Sequence, residues 1–146
     1  MPAISSKSVE SRKSRSEDRT DPPASTILLI DDDEKISQMV SMLLEHLGYT
    51  AIFASGGNEA LAILKSQTEA IGCVLTDLTM PDMDGWEILS LVKKLSPEMP
   101  VVLASGYDET QVLSTCPIQA PPDGFIQKPF QVAELKNTLD RVLGQT

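Results

Sequence analysis

The chain has 146 residues, of which 41% are hydrophobic and 23% charged, a composition typical of one globular domain with a substantial core. No apolar run approaches the roughly 20 residues that a membrane-spanning helix needs, and residues 1–25 lack the apolar stretch of a signal peptide. The formal net charge is −9, and a surface this acidic argues against binding to the phosphate backbone of a nucleic acid.

Residues 1–25 differ in composition from the rest of the chain. They are rich in serine, proline and charged residues, with five basic and four acidic side chains and almost no large apolar one. Such a segment cannot bury enough surface to offset the entropy lost on ordering. We therefore predict a disordered tail or linker over residues 1–25 and one folded domain over residues 26–146. The two cysteines, Cys73 and Cys116, stand far apart, which favours reduced thiols and a cytoplasmic location.

From residue 26 onward, short apolar runs alternate with amphipathic stretches of helical period. In chain order the predicted elements are strand Thr26–Ile30, helix Glu34–Leu47, strand Thr50–Ala54, helix Asn58–Gln67, strand Cys73–Thr76, helix Asp84–Leu95, strand Pro100–Ala104, helix Asp108–Thr115, strand Gly124–Gln127 and helix Gln131–Leu143. Strands that alternate with helices predict an α/β fold, a doubly wound parallel sheet with right-handed crossovers.

The helical stripes also predict which side chains face the sheet. Asp33 and Asp84 are the expected N-caps of the first and third helices, and Gly48 is the expected stop of the first. The predicted inward residues of the first, third and last helices are Ile36, Met39, Val40, Leu43, Leu44, Leu47, Ile88, Leu91, Val92, Leu95, Val132, Leu135, Leu139, Val142 and Leu143.

Four of the strand-like runs end in a polar residue of one chemical set. Asp31-Asp32-Asp33 follows the first strand, Asp77 the third, Ser105 the fourth and Lys128 the fifth, which we expect to be central or nearly so. The carboxyl ends of parallel strands meet at one edge, where such sheets bind ligands. Crowded carboxylates favour a hard cation such as Mg²⁺, and a hydroxyl and an ammonium beside them suit a phosphoryl group. We predict that Asp77 is the nucleophile that takes it.

Several of these acids also have plain structural explanations. Asp82, Asp84 and Gly85 are adequately explained as turn and helix-cap residues, and we prefer that interpretation for all three. Asp31 is less easily explained, because an acid at the end of an apolar strand lies near surroundings of low dielectric constant and needs a partner. A metal ion or Lys128 would supply one.

The chain resembles the receiver domain of two-component response regulators over about residues 26–143. Four motifs in order carry the resemblance: Leu28–Glu34, Thr76–Gly85, Val102–Tyr107 and Gly124–Phe130. The residues around Ser105 and Lys128 are most similar to receivers of hybrid sensor histidine kinases. The resemblance implies a flavodoxin-like fold with a five-stranded sheet in the order 2-1-3-4-5.

The resemblance also implies a role for each residue at the strand ends. Asp77 would accept the phosphoryl group from a kinase phosphohistidine. Asp32 would bind Mg²⁺ directly and Asp31 directly or through water. Asp77 and the backbone carbonyl of Thr79 would complete the protein ligands.

Three further residues would act on the phosphoryl group or respond to it. Lys128 would pair with Asp77 and then with the phosphoryl oxygens, while Ser105 would donate a hydrogen bond to them. Phe125 stands where the family has its switch aromatic, which turns inward when Ser105 moves, but it lacks the hydroxyl that many members carry there. The proline-rich segment 116–122 predicts a short fourth helix, and this puts dimerisation through that face in doubt.

The expected partners are a sensor histidine kinase or a histidine phosphotransfer protein and an unidentified downstream protein, without nucleic acid or membrane. We expect a signalling domain rather than an enzyme, with self-phosphorylation and autodephosphorylation as its only chemistry. The chain could be a stand-alone protein or a domain excised from a larger sensor kinase. Two alternatives stay open: an aspartate-nucleophile phosphohydrolase that uses Asp31 and Asp33, although Lys35 departs from that pattern, and a pseudo-receiver that takes no phosphate.

Overall fold

The computed structural model describes residues 26–114 and 121–144, so the prediction for residues 1–25 and that for Cys116 lie outside the described residues. The strands are β1 (Thr26–Ile30), β2 (Thr50–Ala54), β3 (Cys73–Asp77), β4 (Val101–Ser105) and β5 (Gly124–Gln127). The helices are α1 (Glu34–His46), α2 (Gly57–Gln67), α3 (Gly85–Leu95), α4 (Glu109–Ser114) and α5 (Val132–Val142), with a 3-10 turn at Thr68–Ala70. Across the described ranges, no helix combines the length and apolarity that crossing a membrane requires.

The strands form one parallel sheet in the order β2-β1-β3-β4-β5, which confirms the predicted α/β fold and strand order. In register, Ile30 pairs with Thr76, and Ser105 pairs with Gln127. The carboxyl ends of β1, β3, β4 and β5 therefore reach the same edge of the sheet. One detail is wrong: Lys128 follows β5, which lies at the border of the sheet and not near its centre.

Helices cover both faces of this sheet and enclose two apolar layers. In β1 the side chains alternate between them, with Leu28 and Ile30 in one layer and Ile27 and Leu29 in the other, all almost fully buried. Helices α2, α3 and α4 supply the first layer, and α1 and α5 supply the second. This two-sided burial explains why the strands read as continuous apolar runs.

Three residues of the predicted helical stripes are exposed instead of buried. Met39 and Leu95 are each 46% exposed and Val132 is 42% exposed. Leu95 is the last residue of α3 and Val132 the first residue of α5, so both lie at helix ends. In α1 the buried positions are Ser37, Val40 and Leu44, a strip that passes beside Met39.

The predicted caps and stops of the helices are present. The Asp33 carboxylate accepts hydrogen bonds from Lys35 N and Ile36 N at 3.0 and 3.2 Å. Asp84 and Glu87 form a reciprocal capping box at the start of α3. Gly48 follows α1 at φ +98°, a conformation that glycine adopts without strain. Part of the proline-rich segment lies outside the described residues, so its effect on α4 stays a prediction.

At Gly124 the backbone of β5 packs tightly against side chains of α5, and we expect Gly124→Ala to destabilise the fold. An added Cβ would lie 2.9 Å from Thr138 Cγ2 and 3.2 Å from the side chains of Val102 and Val142. Overpacking of this kind destabilises by about 1–3 kcal/mol. Urea unfolding checks the value, with Gly106→Ala as the control, because a Cβ at Gly106 meets nothing within 4 Å. Equal stability of the two variants would contradict the prediction.

Candidate functional site

Lys128 joins the ends of three strands. Asp31 follows β1 directly and is only 3% exposed, while Asp77 is the last residue of β3. The Lys128 ammonium lies 3.2 Å from Asp31 Oδ2 and 3.0 Å from Asp77 Oδ1. The structure thus brings together two acids and a lysine that are far apart in the sequence, as predicted.

Asp32 completes an acidic cluster with Asp31 and Asp77. One carboxylate oxygen of each lies within 4.8 Å of those of the other two. Asp31 Oδ1 also accepts a hydrogen bond of 2.9 Å from Asp33 N, which fixes its orientation. Among the described residues, the three carboxylates have one ammonium beside them, that of Lys128, which pairs with Asp31 and Asp77. The cluster therefore has an excess of negative charge there, and an oxygen set of this kind fits a Mg²⁺ ion.

The excess of negative charge acts on the protonation of Asp77. Burial raises its pKa above the ordinary value, the hydrogen bond and charge of Lys128 oppose this, and repulsion by Asp31 and Asp32 adds to the rise. For Lys128, burial disfavours the charged form, but hydrogen bonds and attraction from Asp77 and Asp31 outweigh it, so its pKa also lies above the ordinary value. Lys128 is therefore held in its charged form, while the charged form of Asp77 is disfavoured by burial despite its contact with Lys128.

Thr79 lies at an exposed position in the loop between β3 and α3. Two backbone hydrogen bonds fix the ends of that loop, one of 2.9 Å from Leu78 N to Ala104 O and one of 2.7 Å from Gly85 N to Leu78 O. The loop thus leaves β3 directly beside Asp77. The role of the Thr79 carbonyl as a metal ligand stays a prediction.

Ser105 ends β4 at the same edge and is 4% exposed. Its Oγ accepts a hydrogen bond of 3.1 Å from Tyr107 N, and its carbonyl accepts one of 2.7 Å from Lys128 N. The backbone of Ser105 is thereby tied to the lysine of the pocket, while its hydroxyl oxygen is engaged by the loop that follows. Phe125 is 8% exposed and lies in the core layer beneath α2, α3 and α4.

Asp82 makes a contact that the interpretation as a turn or cap residue of its own loop did not include. Asp82 is not only a turn residue, because its carboxylate accepts hydrogen bonds of 3.3 Å from Gly57 N and from Asn58 N, at the start of α2. The signal in the sequence was the pair Gly56-Gly57 at a helix start, since neither glycine can cap the helix with a side chain. Asp84 does act as a cap, as predicted.

Comparison with known proteins agrees with this geometry. The model of the response regulator receiver domain family matches residues 27–140. The sensor kinase CckA of Brucella abortus is 32% identical over 92% of this chain, and the probable transcriptional regulatory protein TcrX of Mycobacterium tuberculosis is 30% identical over 88% of it. A crystal structure of the receiver domain of the hybrid histidine kinase CckA has a TM-score of 0.67 at 25% identity, covering 81% of this chain and 98% of that one.

The curated relatives are longer than this chain. The match spans 14% of the length of the Brucella sensor kinase and 53% of TcrX. The similarity therefore concerns the receiver unit and not the remaining parts of those proteins.

Proposed function

This chain belongs to the family of response regulator receiver domains, and on that premise we propose that Asp77 accepts a phosphoryl group in a two-component phosphorelay. One observation carries the proposal: the Asp77 carboxylate lies at the end of a central strand, 3.0 Å from the Lys128 ammonium and beside two further carboxylates. This arrangement supplies a nucleophile, Asp77, and a cation, Lys128, that can pair with the phosphoryl group after its transfer.

The proposed reaction is an in-line displacement at phosphorus. A carboxylate oxygen of Asp77 forms the new P–O bond while the P–N bond to the imidazole of the donor histidine breaks, and the imidazole nitrogen keeps the electron pair. Positioning and neutralisation of charge carry such a step. The Lys128 ammonium, already beside Asp77, then also pairs with a phosphoryl oxygen.

A Mg²⁺ ion bound to Asp31, Asp32, Asp77 and the Thr79 carbonyl would neutralise charge on the phosphoryl oxygens. The carboxylate oxygens are close enough together to share one ion. Asp31 is buried against the ends of the strands and oriented by Asp33 N, so this side of the site is rigid before any ion arrives.

We further propose that phosphorylation acts through Ser105 and Phe125. A phosphoryl group adds roughly 1.5 to 2 negative charges at pH 7 and offers the Ser105 hydroxyl a strong acceptor. A change at Ser105 reaches Tyr107 through their shared hydrogen bond and reaches Phe125 through the neighbouring strand. The expected phosphoryl donor is a sensor histidine kinase or a histidine phosphotransfer protein, and the expected target is a downstream protein. We expect this exchange to take place in the cytoplasm. The receiver domain is expected to cover residues 26–146.

The hydrolase alternative finds less support in the geometry. It requires Asp33 to serve as the second acid of the reaction. The Asp33 carboxylate instead caps α1 and accepts two backbone hydrogen bonds there. Asp33 is thus already engaged by two backbone donors, and the acidic cluster is formed by Asp31, Asp32 and Asp77, so the receiver function is the better explanation.

Incubation with acetyl phosphate and Mg²⁺, followed by intact mass measurement, tests the proposal. We expect a gain of one phosphoryl mass, lost on chelation of the metal before the donor is added, and located on Asp77 by reduction of the acyl phosphate and peptide mapping. An acyl phosphate on Asp31 would identify a hydrolase. A folded protein that gains no mass under these conditions would be a pseudo-receiver, and either result would contradict the proposal.

A further inference from the structure

Asp82 connects the loop after β3 to the start of α2. Its two carboxylate oxygens accept the backbone hydrogens of Gly57 and Asn58, each at 3.3 Å. These partners lie 25 and 24 residues away in the sequence, so the contact joins two separate segments. Asp82 stands three positions after Thr79, in the same loop between β3 and α3.

At the start of α2 this carboxylate takes the place of an N-cap side chain. Gly56 occupies the N-cap position and makes no side-chain cap hydrogen bond. The first N–H groups of a helix otherwise lack partners and carry partial positive charge. The Asp82 carboxylate, from a different segment, therefore supplies these N–H groups with a hydrogen-bond acceptor and with a compensating negative charge.

The two glycines at this helix start leave room for the loop. A Cβ on Gly56 would lie 2.8 Å from Asp82 Oδ2, and one on Gly57 would lie 2.6 Å from Met83 Sδ. The backbone of Gly56 is extended, at φ −174° and ψ 178°, a conformation open to any residue. At Gly56 the requirement for glycine is thus steric, and it comes from Asp82.

We propose that Asp82 is a positioning residue, which holds the loop after β3 on α2 so that the Thr79 carbonyl faces the acidic cluster. This inference rests on the proposed function, since it concerns the same metal site. Hydrogen bonds of Leu78 and Gly85 fix the two ends of the loop, and the Asp82 contact fixes its outer part. With the contact broken, the three carboxylates remain in place while the Thr79 carbonyl loses its support.

The substitution Gly56→Ala tests this without removing a charge or touching the pocket. The new methyl group displaces only the end of the Asp82 side chain. Residues that orient a metal ligand typically change metal affinity by about 10- to 100-fold. Because the hydrogen bonds of Asp82 are long, we expect the Kd for Mg²⁺ to rise by roughly tenfold, at the lower end of that range.

Asp82→Ala serves as the control in which the effect of Gly56→Ala is measured a second time. It removes the same contact, so its Kd for Mg²⁺ also rises, partly through the lost charge. In that background the methyl group of Gly56→Ala meets no carboxylate, and the double variant should bind Mg²⁺ as Asp82→Ala does. This non-additivity identifies the contact itself as the cause.

Magnesium binding is measured from the fluorescence of Trp86, the single tryptophan of the chain, and from the rise in Tm with Mg²⁺ concentration. Amide hydrogen exchange of Gly57 and Asn58, without metal, reports whether the contact is broken, and circular dichroism reports that each variant is folded. A wild-type chain that binds no Mg²⁺ would overturn the metal site of the proposed function, and with it the role of Asp82. Amide exchange of Gly57 and Asn58 could be faster in Gly56→Ala while the Kd for Mg²⁺ equals that of the wild type. This result would overturn the role of Asp82 alone.

Discussion

Asp77→Asn will abolish phosphoryl uptake from acetyl phosphate and raise the stability of the metal-free protein at neutral pH. The first effect is complete, because the asparagine amide offers no carboxylate oxygen to attack phosphorus. The second follows because burial disfavours the charged form of Asp77, and repulsion by Asp31 and Asp32 adds to this cost. A neutral asparagine relieves both. Lys128 keeps Asp31 as a partner at 3.2 Å, so the substitution leaves no buried charge unpaired.

The pH dependence of this gain follows from the raised pKa of Asp77. A carboxyl group whose pKa is raised by folding favours the folded state while protonated. That contribution is complete below the ordinary pKa and is lost as the pH rises through the raised one. The stability advantage of Asp77→Asn should therefore be largest at neutral pH and vanish at acid pH. Saturating Mg²⁺, which neutralises the cluster, should also reduce it.

Intact mass after incubation with acetyl phosphate measures the first effect, and urea unfolding at pH 7 and at acid pH measures the second. Glu98→Gln is the control, since Glu98 is exposed and lies outside the acidic cluster; it should take up phosphate as the wild type does. Phosphorylation of Asp77→Asn would place the acceptor elsewhere. A loss of stability at neutral pH would mean that the charged form of Asp77 is not disfavoured by its surroundings.

Lys128→Met will slow phosphoryl uptake by about 100- to 1,000-fold, the effect typical of removing one preorganised donor to a developing charge. The ammonium contacts Asp31 and Asp77 together, so methionine occupies a similar volume and removes the cation that pairs with both carboxylates. Mg²⁺ alone then has to neutralise both the cluster and the incoming phosphoryl oxygens.

The rate of mass gain at fixed acetyl phosphate and Mg²⁺ measures this loss. Lys136→Met is the matched control, because Lys136 pairs with Asp140 on the exposed side of α5 and should change the rate little. Lys128→Met should also lower stability at neutral pH. The pKa of Lys128 is raised by folding, so its contribution is present below the ordinary pKa and is lost as the pH rises through the raised one. An unchanged rate would exclude Lys128 from the reaction.

Much of this site could be predicted because strand ends are visible in a sequence. Asp31 and Asp77 stand directly after buried apolar runs, and parallel strands bring such positions to one edge whatever the lengths of the helices between them. Asp33 and Asp84 could be predicted as caps because the donors that they satisfy lie within three residues. These predictions depend only on local order along the chain.

The sequence was least informative where a side chain contacts a residue far away in the chain, and where a residue lies at the end of a helix. Leu95 and Val132 follow the apolar period of their helices, but the period does not say how far the sheet extends beneath them. Asp82 satisfies donors on another helix, a contact that no spacing within its own loop indicates. The border position of β5 depends on strand order, which the family resemblance supplied and the apolar pattern of residues 124–127 did not.

The ion pair between Lys128 and Asp31 joins residues 97 positions apart, and this has a consequence for synthesis. A nascent chain emerges from the ribosome with its amino end first, so the acids of β1 and β3 appear well before the lysine does. Until translation has passed Lys128, a kinase would meet carboxylates without their cation. On the proposed function, a growing chain would therefore lack one part of its phosphate-accepting site until nearly the whole domain has been made.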